Sequence, residues 1–267
     1  MQFIKQLGKQ LGFVVLISSG VFSPSSAMAG ESFEWNQDFD RNPKPMINAR
    51  KGVCFLKTIQ GKFEGGREKI EINIKNGQWF LNGDSDQSGG GVRGEAYCVQ
   101  WTDLVGASGA VFGPYNLSQN DDETEASINL NGFNEGDGVC FLGSISGKFR
   151  GGAEKVQVTL DPYSREWILK INSKQIGGGV SASAYCIPTA YNYTKLTNET
   201  TLLQPLDKGE STVDLGSNYA ACFLIGIAGK FQGGKENVNV YDNFGEWFLK
   251  VSSDQFGVSG STRCYRK

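Results

Sequence analysis

From Lys69 to Lys75, Ile70, Ile72 and Ile74 alternate with Glu71 and Asn73, the period-two pattern of a strand with one buried face. Asn76-Gly77 follows, a pair that tolerates positive φ at both positions and so predicts a two-residue hairpin. Gln78–Asn82 resumes the alternation with Trp79 and Leu81 on one side. Val53–Phe63 is apolar on both sides near its start, with Phe55, Ile59 and Phe63 on one parity and Cys54 and Leu56 on the other. That pattern predicts a central strand. Gly91–Val99 places Val92, Gly94, Ala96 and Cys98 together, small residues that leave room for bulk from facing strands. After residue 29 no stretch sustains a helical period, so the chain reads as all-β.

This pattern recurs three times. Val53-Cys54-Phe55-Leu56 is followed by Gly61-Lys62-Phe63-Glu64-Gly65-Gly66-Arg67-Glu68. Val139-Cys140-Phe141-Leu142 is followed by Gly147-Lys148-Phe149-Arg150-Gly151-Gly152-Ala153-Glu154. Ala221-Cys222-Phe223-Leu224 is followed by Gly229-Lys230-Phe231-Gln232-Gly233-Gly234-Lys235-Glu236. Each copy continues through a tryptophan (Trp79, Trp167, Trp247) to a closing cysteine (Cys98, Cys186, Cys264). The leading cysteines are 86 and 82 residues apart, too long a period for a solenoid. The repeat therefore predicts three tandem β modules, standing as beads or closing into one pseudo-threefold body. Module 1 is read as residues 30–99, module 2 as 126–187 and module 3 as 211–267, with linkers at 100–125 and 188–210. Short alternating pieces ahead of each leading cysteine, at Met46–Ala49, Ala126–Leu130 and Ser211–Leu215, predict one further strand per module.

The repeat also narrows the cysteine pairing, because a bond used in one copy is expected in all. Cys54–Cys98, Cys140–Cys186 and Cys222–Cys264 is the economical scheme. Each bond closes a loop of about 45 residues, worth about 4 kcal/mol by the chain-entropy model. No CxxC pair is present, which leaves a metal cluster without its usual framework. The expectation is no metal and no cofactor.

The first 29 residues read as an address. Lys5 and Lys9 precede the apolar run Leu11–Phe22, and Ala27-Met28-Ala29 forms a small-residue cleavage site. The run is too short to span a bilayer. A secreted protein, extracellular or periplasmic, follows from this together with the cysteine count.

Composition then removes whole classes of chemistry. The 267 residues include no His, so neither a His-dependent triad nor a His-containing metal site is available. The net charge of -2 lacks the basic footprint of a nucleic-acid binder. The recurring Gly-Lys-Phe-x-Gly-Gly-x-Glu joins strand to strand, unlike a phosphate loop, and reads as a turn, with Lys62 and Glu68 placed to pair across it.

Glu68, Glu154 and Glu236 recur in register, as do Gln87, Gln175 and Gln255, although surrounding surface residues drift. A turn explains the glycines and does not by itself require a carboxyl or an amide. These six residues are therefore the expected ligand contacts. Trp79, Trp167 and Trp247 are candidate stacking platforms, with burial in the core as their ordinary alternative. Triplicated weak sites gain avidity, whereas catalysis gains nothing comparable. The expected function is multivalent binding of polysaccharide or glycan at or outside the cell surface, without enzymatic activity. Two rival readings are an envelope-associated spacer and a carboxylate-based carbohydrate hydrolase. For the hydrolase, the acidic residue before Trp167 and Trp247 is replaced by Gln78 in the first copy.

Overall fold

A computed structural model describes residues 30–87, 91–119, 124–174, 179–190, 196–197, 199–203, 209–255 and 257–267. Residues 1–29, read above as an address, and Gln175 lie outside them. The first module supplies β1 (Glu31–Asn36), β2 (Lys44–Asn48), β3 (Gly52–Gln60), β4 (Lys69–Lys75), β5 (Gln78–Asp84) and β6 (Arg93–Gln100). The second supplies β7 (Phe112–Ser118), β8 (Glu125–Asn134), β9 (Gly138–Ser146), β10 (Lys155–Leu160), β11 (Glu166–Asn172) and β12 (Ser181–Pro188). The third supplies β13 (Thr200–Leu203), β14 (Gly209–Ser217), β15 (Tyr219–Ala228), β16 (Asn237–Asn243), β17 (Glu246–Ser253) and β18 (Ser259–Arg266).

The chain is all-β, and the strands expected from alternation are present. Asn76 and Gly77 both adopt positive φ, 53° and 75°, which closes the β4–β5 hairpin. The stretches read as linkers are not wholly linker. They contribute β7 and β13, which pair with β12 and β18, and β1 pairs with β6 in the same way. Each lies at the edge of its sheet, and β7 and β13 bury little.

No sheet belongs to one module. Strands order as β1-β6-β3-β16-β17-β14, β13-β18-β15-β10-β11-β8 and β2-β5-β4-β9-β12-β7. Half of each module thus pairs with half of the next. The joins are β3 with β16, β15 with β10 and β9 with β4, and they run head to tail until the circuit closes. Of the two arrangements left open by the repeat, beads are not what the strand pairing describes.

The central strands explain why. β3, β9 and β15 are buried on both faces, because each is hydrogen-bonded to its own module on one side and to a neighbour on the other. Phe55 lies 4.6 Å from both Phe141 and Phe223. Phe63, Phe149 and Phe231 form a second three-way cluster at 5.9, 5.9 and 5.8 Å. A backbone ring links the same segments: Phe149 N–H donates to Phe63 C=O, Phe231 to Phe149, and Phe63 to Phe231, at 2.8, 2.7 and 2.8 Å. One continuous core results. The small residues on β6 and β18 serve its density. A methyl on Gly94 would lie 2.5 Å from Ile70 Cγ2, and one on Gly260 would lie 2.3 Å from Val238 Cγ1.

All three disulfides pair as expected, Cys54–Cys98, Cys140–Cys186 and Cys222–Cys264, and no cysteine is free. Each bridges directly paired residues on neighbouring strands of one module, β3–β6, β9–β12 and β15–β18. They staple half-sheets, so what joins the modules is strand pairing and the phenylalanine clusters. Bonds of this kind place the chain in an oxidising, non-cytoplasmic compartment. Among the described residues no helix is long and apolar enough to cross a membrane.

Candidate functional site

The recurring carboxyls do not face outward. Glu68, Glu154 and Glu236 are all fully buried. In each module the carboxyl group reaches back to the turn and accepts the N–H of Gly65, Gly151 or Gly233, every time at 2.8 Å. A methyl on Gly65 would lie 2.6 Å from Glu68 Oε1 and 2.7 Å from Gln87 Nε2, so the glycine is what lets carboxyl and amide close over the turn. The expectation that these glutamates touch a ligand is therefore corrected. Their register reflects turn capping: the buried carboxyl takes its hydrogen bond from the turn's own backbone N–H, on an exposed glycine. Lys62 does not pair with Glu68; its ammonium meets Glu64 at 3.0 Å.

Gln87 and Gln255 are half-buried beside these turns. Their backbone N–H groups donate to Ser85 and Ser253 Oγ, at 3.0 and 2.8 Å. Ser253 in turn donates to Glu236 Oε1 at 3.3 Å. Gln87 C=O accepts from Gln37 Nε2 at 3.3 Å. These glutamines belong to the local turn network.

The tryptophans are core. Trp79, Trp167 and Trp247 are at most 3% exposed, which corrects their reading as open stacking platforms. The indole N–H of Trp79 donates to Gly52 C=O at 3.2 Å, and that of Trp167 to Gly138 C=O at 3.1 Å. Each tryptophan sits in a shared sheet and packs against a residue from the neighbouring module, the one that precedes that module's closing cysteine. Trp247 meets Tyr97 and Trp79 meets Tyr185, both edge-to-face at 5.2 Å. At the third join the partner of Trp167 is Arg263, whose guanidinium carbon lies 5.1 Å from the ring centroid.

That exchange changes the chemistry of the join. Burial raises the Tyr97 phenol above its ordinary range and pushes Tyr185 up to about 12, so both stay neutral fillers. Tyr97 Oη accepts the Gly30 N–H at 2.9 Å. Arg263 is a cation at the equivalent place. Burial lowers its affinity for the proton, while the charges of Glu199 and Glu135 act the other way. Its Nη1 donates to Thr197 C=O over a long 3.4 Å, and its buried Nε finds no hydrogen-bond partner among the described residues.

Beside Arg263 opens a cleft of about 150 Å³, lined among others by Trp167, Glu135, Thr189, Thr197 and Leu196. Glu135 is engaged by Arg165, whose Nε donates to it at 2.8 Å. Glu199 accepts from Gln157 Nε2 at 2.6 Å and from Thr201 Oγ1 at 3.2 Å. Thr189 Oγ1 donates to Gly136 C=O at 3.1 Å, and Thr197 Oγ1 accepts the Cys264 N–H at 3.0 Å. The wall thus combines an indole, a guanidinium with unused donors and two hydroxyls. That is the pairing of apolar surface with a few placed polar groups that small-ligand sites use.

No protein-family model matches the chain, and no curated protein matches it either. Repetition does not single out Arg263, because it does not recur. Its signal was there: Tyr97 and Tyr185 precede their cysteines, and the third copy breaks the register with a charge.

Proposed function

We propose that this chain is an exported glycan-binding protein whose ligand enters the cleft between its second and third modules. The observation that supports this is the departure at Arg263. Two joins are filled by tyrosine on tryptophan, while the third has a half-buried guanidinium over Trp167 with a buried donor unpaired. Hydroxyl-rich ligands suit a wall of indole edge, threonine hydroxyls and guanidinium.

This reading replaces three equal sites with one, so its affinity rests on contacts in a single cleft. A hydrolase needs two carboxyl groups flanking one bond. The cleft wall offers Glu135, already held by Arg165. A spacer would bind nothing.

A glycan array probed with the oxidised protein tests the reading. The expected result is binding to a subset of glycans that Arg263→Ala removes while the fold persists by circular dichroism. Binding that survives Arg263→Ala unchanged moves the site elsewhere, and an empty array favours the spacer.

A further inference from the structure

We infer that the α-ammonium of Gly30, set free when the chain is cut after Ala29, docks on the Tyr97 phenol at the join with Trp247. This inference rests on the export reading of residues 1–29 and is independent of what the cleft binds.

The cut follows Ala27-Met28-Ala29. Hydrolysis there consumes one water. Ala29 leaves as the carboxylate, and Gly30 keeps the nitrogen as an ammonium that holds both protons of that water. The structure shows where this nitrogen sits. Gly30 N–H donates to Tyr97 Oη at 2.9 Å. β1 starts at the next residue, and its register with β6 sets Glu31 opposite Cys98 and Ser32 opposite Tyr97, which fixes the reach from terminus to phenol. A side chain does not fit at this place. A methyl on Gly30 would lie 2.2 Å from Tyr97 Cζ and 2.4 Å from Oη. The other tyrosine join is answered differently, because Tyr185 takes its hydrogen bond from the backbone N–H of Ile74, inside β4.

The charges around the phenol suit an ammonium. Those that act on Tyr97 are Asp242, from β16, and Asp103, just after β6, both negative. Asp242 is exposed and has no ion pair among the described residues. Asp103 accepts the Gln100 N–H at a long 3.3 Å. Glu31, exposed, adds a carboxylate beside the terminus. On β3, Lys57 donates to Ser32 Oγ at 3.2 Å, and its charge is answered by Glu95 at 3.1 Å. Gly30 itself is half-buried, so the remaining ammonium protons can stay in water. An uncut chain offers the phenol one amide donor and no charge. The cut chain adds a cation that the carboxylates attract.

The test uses the oxidised chain Gly30–Lys267, which holds every strand, and the same chain with one serine added before Gly30. The terminal residue is labelled with carbon-13, and its amine is titrated by nuclear magnetic resonance. The Gly30 ammonium is expected to lose its proton at least about half a pH unit above the ordinary value of about 8. The added serine should titrate at the ordinary value. Asp242→Asn and Tyr97→Phe should each bring Gly30 back toward it. Stability carries the same sign: the Gly30 chain should have the higher urea midpoint below pH about 8 and lose that advantage as pH rises through the raised value. A Gly30 amine that titrates at or below about 8, or a serine amine raised as much, overturns the inference. Terminal sequencing of the exported protein separates the two readings. A start at Gly30 is expected; a start at another residue overturns the docking and leaves export standing, and a chain kept inside the cell with residues 1–29 overturns both. Should Tyr97→Phe misfold, Asp242→Asn still decides the matter, because that side chain is exposed.

Discussion

The Tyr185–Trp79 join and the Arg263–Trp167 join occupy equivalent places in two of the three shared sheets, and they differ in one side chain. The first is an aromatic pair with rings 5.2 Å apart, the phenol neutral and Tyr185 about 1% exposed. The second sets a cation over an indole, leaves a buried donor unanswered and opens onto a cleft. The first is what a join looks like when stability is its only task. The second gives up aromatic packing worth about 0.5–1.5 kcal/mol. In a repeat protein, then, recurrence marks what the fold requires and departure marks where one copy is free to do something else. The glutamates make the same point from the other side: they recur in all three copies, and they cap turns.

The largest expected effect breaks every join at once. A module expressed alone, such as residues 112–190, keeps its disulfide and loses the partner strands β4 and β15, with both phenylalanine clusters reduced to one ring each. It should be unfolded as a monomer, or fold only by assembling with further copies. Circular dichroism with light scattering checks this, and a stable folded monomer would show that the joins are dispensable.

A smaller effect sharpens the comparison of the two joins. Tyr185→Ala empties a fully packed slot and should cost about 3–5 kcal/mol, by analogy with other large aromatic truncations. Arg263→Ala should cost about 1 kcal/mol or less, because the cation–π contact is modest and an unpaired buried donor goes with it. Urea unfolding of both variants measures the difference. Equal losses would mean that Arg263 is as structural as the tyrosines.

The smallest effect is on pH. Tyr185 in the fold loses its proton at about 12, above the value of about 10 for an unfolded chain. The stabilisation from keeping that phenol neutral is full below pH about 10 and is lost as pH rises from there through about 12. Tyr185→Phe should flatten this alkaline decline in urea midpoints, whereas Arg263→Lys should leave it unchanged. A decline that persists in Tyr185→Phe would assign it to other groups.

Much of this was legible in the residues. Alternation gave the strands, Asn76-Gly77 the hairpin, two-sided apolar character the central position of β3, and the triplicated Cys…Cys spacing the bonds. Strands β7 and β13 were not legible, because Gly113-Pro114 interrupts the alternation of the first and Thr200–Leu203 is too short to show one, whereas β1 does alternate through Phe33 and Trp35. Side-chain direction was not legible for a related reason. Periodicity reports which positions repeat but not which way a side chain turns, and a carboxyl curled back onto its own turn reads the same as one facing solvent.

The sequence by itself determined the local layer: an all-β chain, three homologous modules, three disulfides within them and no histidine chemistry. These follow from short-range alternation, turn residues and the logic of a repeat. Only the tertiary structure decided that each module splits between two sheets and pairs with its neighbours. Strand partners are chosen by edges that meet far apart in sequence, and β4 pairs with β9 as readily in pattern as it would with β3. The same long-range pairing brings Arg263 onto Trp167, across nearly a hundred residues of chain, and so creates a cleft that neither module contains alone.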